Sequence, residues 1–558
     1  MPEELTEEGV INPLKPTVQD PLLRELLAET PAADTPQEQP QPVPEALDEV
    51  DCVVIGTGAG GAPLLARLAA AGLRVVALEA GPWHNPETDF ATDEKAQDFL
   101  FWNDERLAAG QNPLAMGKNN SGTGVGGSTL HYTAYTPRPL PADLHLKRDF
   151  GQGEDWPFDY DELVPYFQEV EQFLGISGPT PYPWGPTRAQ GYPLAPLPLN
   201  SAAQLMLRGC EQLGIQTSPA ANAALSARYY QEGIGWREAC TNRGFCQAGC
   251  SNGAKASMDV TYIPLAVQYG ADIRPNSFVT EIERNERGLV TAVLYTQNGQ
   301  QHRQRCRHLF LCAGAVETPR LLLLNELGLD SGQVGRNLMA HPGVQVWGTF
   351  ADEVRPNKGI PGGLISQDTH RPKDADFFGG YLLQSIGVMP VTFAGQVARG
   401  RKLWGQPLRD YLRQYNHIAG INILGDCLPH ADNFLELAEE KDGRGLPKPR
   451  LHFTEQHNEQ RMTAHADALM RRIWEAAGAT DIWSFQRHAH VIGTARMGLS
   501  GDDAVTDADG RVFGVPNLYI SDNSTFPSAL SVNPALTIMA LALRTADKFL
   551  ARQQRRDS

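Results

Sequence analysis

A short apolar run, Cys52-Val-Val-Ile55, passes directly into Gly56-Thr-Gly58-Ala-Gly-Gly61, then into the helically spaced PLLARLAAAG and a second apolar run, LRVVALEAG. This order constrains the fold more than any other feature of the chain. A buried parallel strand that turns through three glycines into a helix opens a dinucleotide-binding βαβ unit. Gly56 makes the tight turn. Gly58 lets the backbone approach a pyrophosphate resting on the helix N-terminus, and Gly61 lets helix and strand pack closely. Glu79 ends the second strand, where a carboxylate can accept hydrogen bonds from ribose hydroxyls. The fingerprint alone does not separate FAD from NAD.

The 558 residues suffice for two or more domains, and the formal net charge of −17 argues against a nucleic-acid partner, whose phosphates would be repelled. No apolar run of about 18 residues appears, so no transmembrane segment is expected. The N-terminus, MPEELTEEGV, lacks the basic start and apolar stretch of an export signal. The expected compartment is the cytoplasm, with export on a partner's signal left open. Residues 1–46 are rich in Pro, Glu, Gln and Ala and read as a disordered leader in which DPLLRELLAE could form a single amphipathic helix.

Four further motifs follow the fingerprint in order. Gly124-Val-Gly126-Gly127-Ser128-Thr129-Leu130-His131-Tyr132 is a glycine loop; Ala313-Gly314-Ala315-Val316-Glu317-Thr318-Pro319 precedes a leucine run; Gly335-Arg-Asn-Leu-Met-Ala-His341-Pro342 is a turn. His490-Val-Ile-Gly493-Thr494-Ala-Arg-Met497-Gly498, Asp522-Asn-Ser-Thr-Phe-Pro527 and Asn533-Pro534 together make the fourth, C-terminal motif. Together these resemble the glucose–methanol–choline (GMC) oxidoreductases from residue 51 to about 550.

The resemblance implies FAD. It also implies an α/β fold: a doubly wound, Rossmann-type FAD-binding domain over 47–345 and 487–555, with an antiparallel-sheet substrate domain over 346–486 inserted between its parts. Gly126, Gly127 and Ser128 would pass over the flavin, Val279 would meet the adenine with its backbone, and Asp522 and Pro534 would lie along the cofactor. His131 stands where some relatives carry a flavin-linked histidine; a non-covalent FAD with His131 packed near the ring is the expectation.

Oxidation of an alcohol by a flavin needs a base for the hydroxyl proton and a sink for the hydride. His490 is the candidate base, since a neutral imidazole accepts a proton near pH 7. Asn533 is the candidate second partner at the same oxygen. His488 lies on the same face of an extended segment as His490, an arrangement that also suits a metal, but no third ligand is near in sequence. The expected activity is FAD-dependent oxidation of a sugar, polyol or other alcohol, with electrons passed to a cytochrome, a small subunit or a quinone. A GMC-type oxidase using dioxygen is the alternative, and a flavin-fold scaffold without activity is disfavoured by the presence of both His490 and Asn533. Trp347, Phe377, Phe378 and Trp404 are candidate stacking residues for a sugar, with ordinary core packing as the competing reading.

Cys240, Cys246 and Cys250 place three of the eight cysteines within eleven residues. The spacing resembles that of the flavoprotein subunits of bacterial glucose, fructose, sorbitol and gluconate dehydrogenases, which implies a [3Fe–4S] cluster, one thiolate per iron. A zinc site with a distant fourth ligand, a disulfide and plain buried thiols remain open beside it.

Overall fold

The computed structural model describes residues 46–90, 92–114, 121–373 and 375–557. The leader expected over 1–46 lies outside the described residues except at Ala46, which opens the first strand. That strand, Ala46–Ile55, is buried over its last four residues and pairs in parallel with Val75–Leu78 and with Gln300–Leu311. Asp272–Arg274 adds in parallel outside Val75–Leu78. The long strand Gln300–Leu311 serves two partners. Its first half pairs antiparallel with Val290–Gln297, and its last three residues pair in parallel with Leu518–Ile520 near the C-terminus. The result is a seven-stranded sheet whose parallel part is the expected dinucleotide-binding frame.

The helix Gly61–Ala70 packs on this frame because its apolar positions recur at helical spacing, leaving eight of its ten residues buried. The C-terminal helix Ala535–Asp557 lies beside it, with Arg67 within 3.6 Å of Asp547. The turn between the first strand and Gly61–Ala70 requires glycine at its head. Gly56 sits at φ 98°, and a Cβ there would lie 2.5 Å from the Cys312 carbonyl oxygen.

A second sheet of six antiparallel strands runs in the order Thr480–Gln486, Val344–Thr349, Ile418–Gly425, Tyr381–Ile386, Leu364–Ser366, Ser218–Pro219. Its alternation is that of a sheet covered on both faces. Val344, Val346, Ile421 and Ile423 pack with Met462, Met470 and Trp474 of the helix His457–Ala476. The Trp474 indole donates to the Val346 carbonyl at 2.8 Å, so the largest side chain of that interface is also hydrogen-bonded. The residues between, Gln345, Trp347, Asn422 and Gln384, point to the opposite face. The strand Val344–Thr349 begins just before the expected boundary at 346, and Ser218–Pro219 joins the sheet from well upstream. A two-stranded antiparallel pair, Met339–His341 with Ala489–Ile492, lies close to both sheets in sequence and brings His341 next to His490.

Gly56→Ala is expected to fold around a displaced turn and to purify without flavin. Visible flavin absorbance per chain measures this, and a variant that keeps one flavin per chain would show that the turn tolerates a Cβ.

Candidate active site

Both sheets contribute walls to one cavity of about 520 Å³. Its dinucleotide end is formed by Gly56, Gly58, Glu79, Val279, Gly314 and Asp522, and its other end by the six-stranded sheet. Gly61 and Gly126 stand behind this wall. The Gly126 N–H donates to Thr57 Oγ1 at 3.2 Å. Gly127 sits at φ 55° against Gly58: a Cβ on Gly127 would lie 2.8 Å from the Gly58 Cα. Two bare backbones thus meet where the expected pyrophosphate and flavin loop belong, and Ser128 lines the cavity beside them.

Glu79 is buried, and four donors converge on it. Thr57 donates from both its N–H and its hydroxyl, at 3.1 and 2.8 Å, and Gly81 and Gly124 donate backbone N–H groups at 3.0 and 3.3 Å. Burial pushes its carboxyl up, and those bonds pull it back toward the charged form. Asp522 has the same design. It accepts from Gly314 N–H at 2.9 Å, from the Thr318 hydroxyl at 2.6 Å and from Ser524 N–H at 2.8 Å. It thereby pins the start of the helix Gly314–Leu324 at the cavity edge.

The histidines meet at the centre. His490 lines the cavity in a left-handed backbone conformation, φ 55°, which is costly for a non-glycine residue and typical of functional positions. Its Nδ1 lies 3.2 Å from His341 Nδ1, and His341 Nε2 lies 3.1 Å from the Leu530 carbonyl oxygen. A carbonyl only accepts, so His341 Nε2 carries the proton. Burial holds His341 neutral, its pKa pushed down to about 4, so its Nδ1 is a lone pair. His490 Nδ1 therefore donates, and His490 Nε2 is left unprotonated. Burial, then His341, then Arg487 hold the His490 imidazole well below the ordinary histidine range. Asn533 lines the same cavity with its carboxamide oxygen unpartnered, and Pro534 follows it into the helix Ala535–Asp557.

His131 also lines the cavity. Its Nε2 has no partner, its ring meets Phe101 edge-on at 4.7 Å, and burial pushes its pKa down to about 3. His488 reaches the same space, with Nε2 3.7 Å from Glu455 Oε1. Trp347 lines the cavity, whereas Phe377 packs with Tyr381 and His465, and Phe378 and Trp404 are exposed. The glycine cradle, the unpartnered polar atoms of His131 and Asn533, and three helix starts on one cavity suit a dinucleotide carrying an aromatic ring.

The cysteine expectation fares differently. Cys240, Cys246 and Cys250 are free, and among the described residues no group of three or more His, Cys, Asp or Glu side chains is placed to hold a metal ion. Cys240 and Cys250 sulfurs accept from the Asn242 and Lys255 N–H groups at 3.4 and 3.3 Å, and burial pushes the Cys246 thiol up to about 12. A [3Fe–4S] cluster is not supported at these residues. The segment is tied to the cavity wall by Lys255 instead. Its buried ammonium donates to the carbonyls of Leu130 and Cys246, both at 2.7 Å, and of Tyr132 at 3.3 Å.

Sequence reasoning quoted the turn containing His341 without giving that histidine a role. Nor did it find Gln345, Gln384 and Asn422. A signal existed: each is the one carboxamide in a mainly apolar strand, VQVWGT, YLLQSI and IAGINILG.

Two family profiles described as GMC oxidoreductase match residues 108–343 and 429–542. The 2-methyl-1,2-propanediol dehydrogenase of Mycolicibacterium austroafricanum is 30% identical, over 90% of this chain and 95% of its own. The fructose dehydrogenase large subunit of Gluconobacter japonicus is 29% identical, over 90% of this chain and 97% of its own. Among solved structures, the formate oxidase of Aspergillus oryzae RIB40 matches with a TM-score of 0.66 and 16% identity over 92% of this chain and 100% of that chain, a likeness of fold.

His341→Leu removes the acceptor that orients His490. Flavin reduction is expected to slow by about 10- to 100-fold with FAD retained, the usual cost of losing an orienting partner, and stopped-flow reduction measures it. The buried histidines also set an acid limit. Folded pKa values of about 4 for His341 and about 3 for His131 lie below the ordinary 6.5. Below 6.5 the unfolded chain takes up protons that the folded chain refuses, so stability falls as pH drops toward 4. Melting temperature against pH tests this; a flat profile across that window would contradict the burial of these rings.

Proposed function

This chain belongs to the GMC oxidoreductases, and from that premise we propose that it oxidises a CH–OH group of a sugar, polyol or other alcohol and passes the electrons to an acceptor other than dioxygen. The observation that carries the reading is the pairing of His490, its Nε2 unprotonated, with the unpartnered carboxamide of Asn533 on one cavity. FAD, when bound, supplies the two-electron acceptor for the carbinol hydride.

The chain's own residues supply the rest. The Gly56–Gly61 turn and the start of the helix Gly61–Ala70 would hold the pyrophosphate, Val279 and Glu79 the adenosine side, and Gly127, Ser128 and His131 the flavin side. His490 Nε2 takes the hydroxyl proton of the substrate. The depressed basicity of the ring keeps it neutral and ready at pH 7. His341, fixed by the Leu530 carbonyl, holds the other nitrogen protonated and the ring in place. Asn533 offers a neutral hydrogen-bond partner to the same substrate oxygen, so the alkoxide is met without a second charge. His341 and Asn533 are buried, which limits the bulk water that can compete for the proton.

The names of the two relatives support a non-oxygen acceptor. One of them is a large subunit, which fits delivery of electrons to a partner subunit, a cytochrome or a quinone. No helix among the described residues is long and apolar enough to cross a membrane.

His490→Ala is expected to retain FAD and to slow anaerobic flavin reduction by about 10²–10⁴-fold. An unchanged rate would remove His490 from the reaction. Re-oxidation of the reduced wild-type protein by a quinone or dye is expected to outpace re-oxidation by dioxygen; the reverse order would favour an oxidase.

A further inference from the structure

Four carboxamides converge at the end of the cavity away from the dinucleotide frame. Gln345 stands opposite Asn422, and Asn422 stands opposite Gln384, across three neighbouring strands. They form one row on the cavity face of the six-stranded sheet. Gln396 approaches from the helix Pro390–Gly400. All four line the cavity, are between 3% and 9% exposed, and keep a side-chain oxygen without a hydrogen-bond partner. Buried polar atoms are almost always paired, so four unpaired ends on one wall mark groups reserved for a ligand rich in hydroxyls.

Two guanidiniums flank the row. Arg487 follows the strand Thr480–Gln486, and Arg399 ends the helix Pro390–Gly400, lying 5.0 Å from the Phe485 ring that faces Gln345. Both line the cavity. Neither has a carboxylate within ion-pair distance among the described residues. Each is close enough to the other for Arg399 to lower the basicity of Arg487. The carboxylates of this cavity, Glu79, Glu317 and Asp522, are at the dinucleotide end and already bound to Thr57, to Arg106 and to Thr318. Arg487 thus carries its charge beside a second guanidinium and without a counter-ion, an arrangement that favours entry of an anion; Arg399, exposed at its helix end and donating to the Gly395 carbonyl at 3.1 Å, is screened by solvent and adds less.

We propose that this end of the cavity binds a polyhydroxylated carboxylate, with its hydroxyls on the row Gln345–Asn422–Gln384 and its carboxylate on Arg487, reinforced at the mouth by Arg399. The inference rests on the redox reading above and narrows it. The carboxylate is bound and not transformed; a carbinol of the same molecule faces His490. A bidentate guanidinium–carboxylate pair in a site that excludes water also fixes which carbinol is presented.

The test is anaerobic bleaching of the flavin in the FAD-loaded protein with D-gluconate and with the neutral polyol D-glucitol. Gluconate is expected to half-saturate the rate at a concentration at least about tenfold lower, as a charge-assisted pair supplies. Arg487→Gln is expected to shrink that preference by about tenfold or more while the flavin midpoint potential stays in place, and Arg399→Gln, on an exposed helix end, to shrink it less. Raised ionic strength should weaken gluconate alone. If Arg487 instead served the reduced flavin, Arg487→Gln would lower the midpoint potential and slow both compounds together, which overturns the proposal. Bleaching by glucitol at least as effective as by gluconate overturns it too, and leaves the alcohol-oxidising reading standing. Bleaching by neither, nor by any alcohol, would remove both.

Discussion

The Glu79 carboxylate gathers donors from three separate segments: the glycine turn through Thr57, the end of its own strand through Gly81, and the second glycine loop through Gly124. Thr57 then returns a hydroxyl oxygen to Gly126 N–H, so the turn and the loop are bound through one knot. The contact between Gly58 and Gly127 depends on it. Without the knot, the loop could retreat from the turn, and the narrow slot for a dinucleotide would open. A buried carboxylate without partners would be costly; four donors convert that cost into an anchor.

The second half of the site depends on a proton's position. His341 and His490 are 149 residues apart in the chain and are joined by the pairing of Met339–His341 with Ala489–Ile492. The Leu530 carbonyl decides which nitrogen of His341 is protonated, and through it which nitrogen of His490 is basic. Leu530 and His490 both hold left-handed backbones, at φ 67° and 55°. Strain at two residues of one hydrogen-bonded chain is consistent with a geometry imposed by the surrounding fold rather than by local preference.

The sequence announced the dinucleotide frame because its signals are local. A strand, three glycines and a helix lie within twenty-odd residues, and each glycine has its own steric reason, as Gly56 shows. His490 and Asn533 were found through motifs of a resembling family. The tautomer was not legible, because it depends on contacts from His341 and Leu530 across long sequence separations. The carboxamide row was hidden for a related reason. Gln345, Asn422 and Gln384 become a row only when the register of three strands is known. The cysteines show the opposite failure, a local spacing that suggested a cluster while Lys255 and the backbone engage the same segment.

The fingerprint loop is closed by residues from the far end of the chain. Ser521 donates to the Gly60 carbonyl, 461 residues away, and packs so tightly that a Cβ on Gly60 would overlap the Ser521 carbonyl. During synthesis on a ribosome, the first strand, the glycine turn and the second glycine loop therefore emerge long before the wall that completes them. The nascent chain carries an open half-site, and the cofactor can be locked in only after the segment following Leu518–Ile520 has left the exit tunnel. A chain that stops short of Ser521 would lack this wall and carry an unfinished nucleotide pocket.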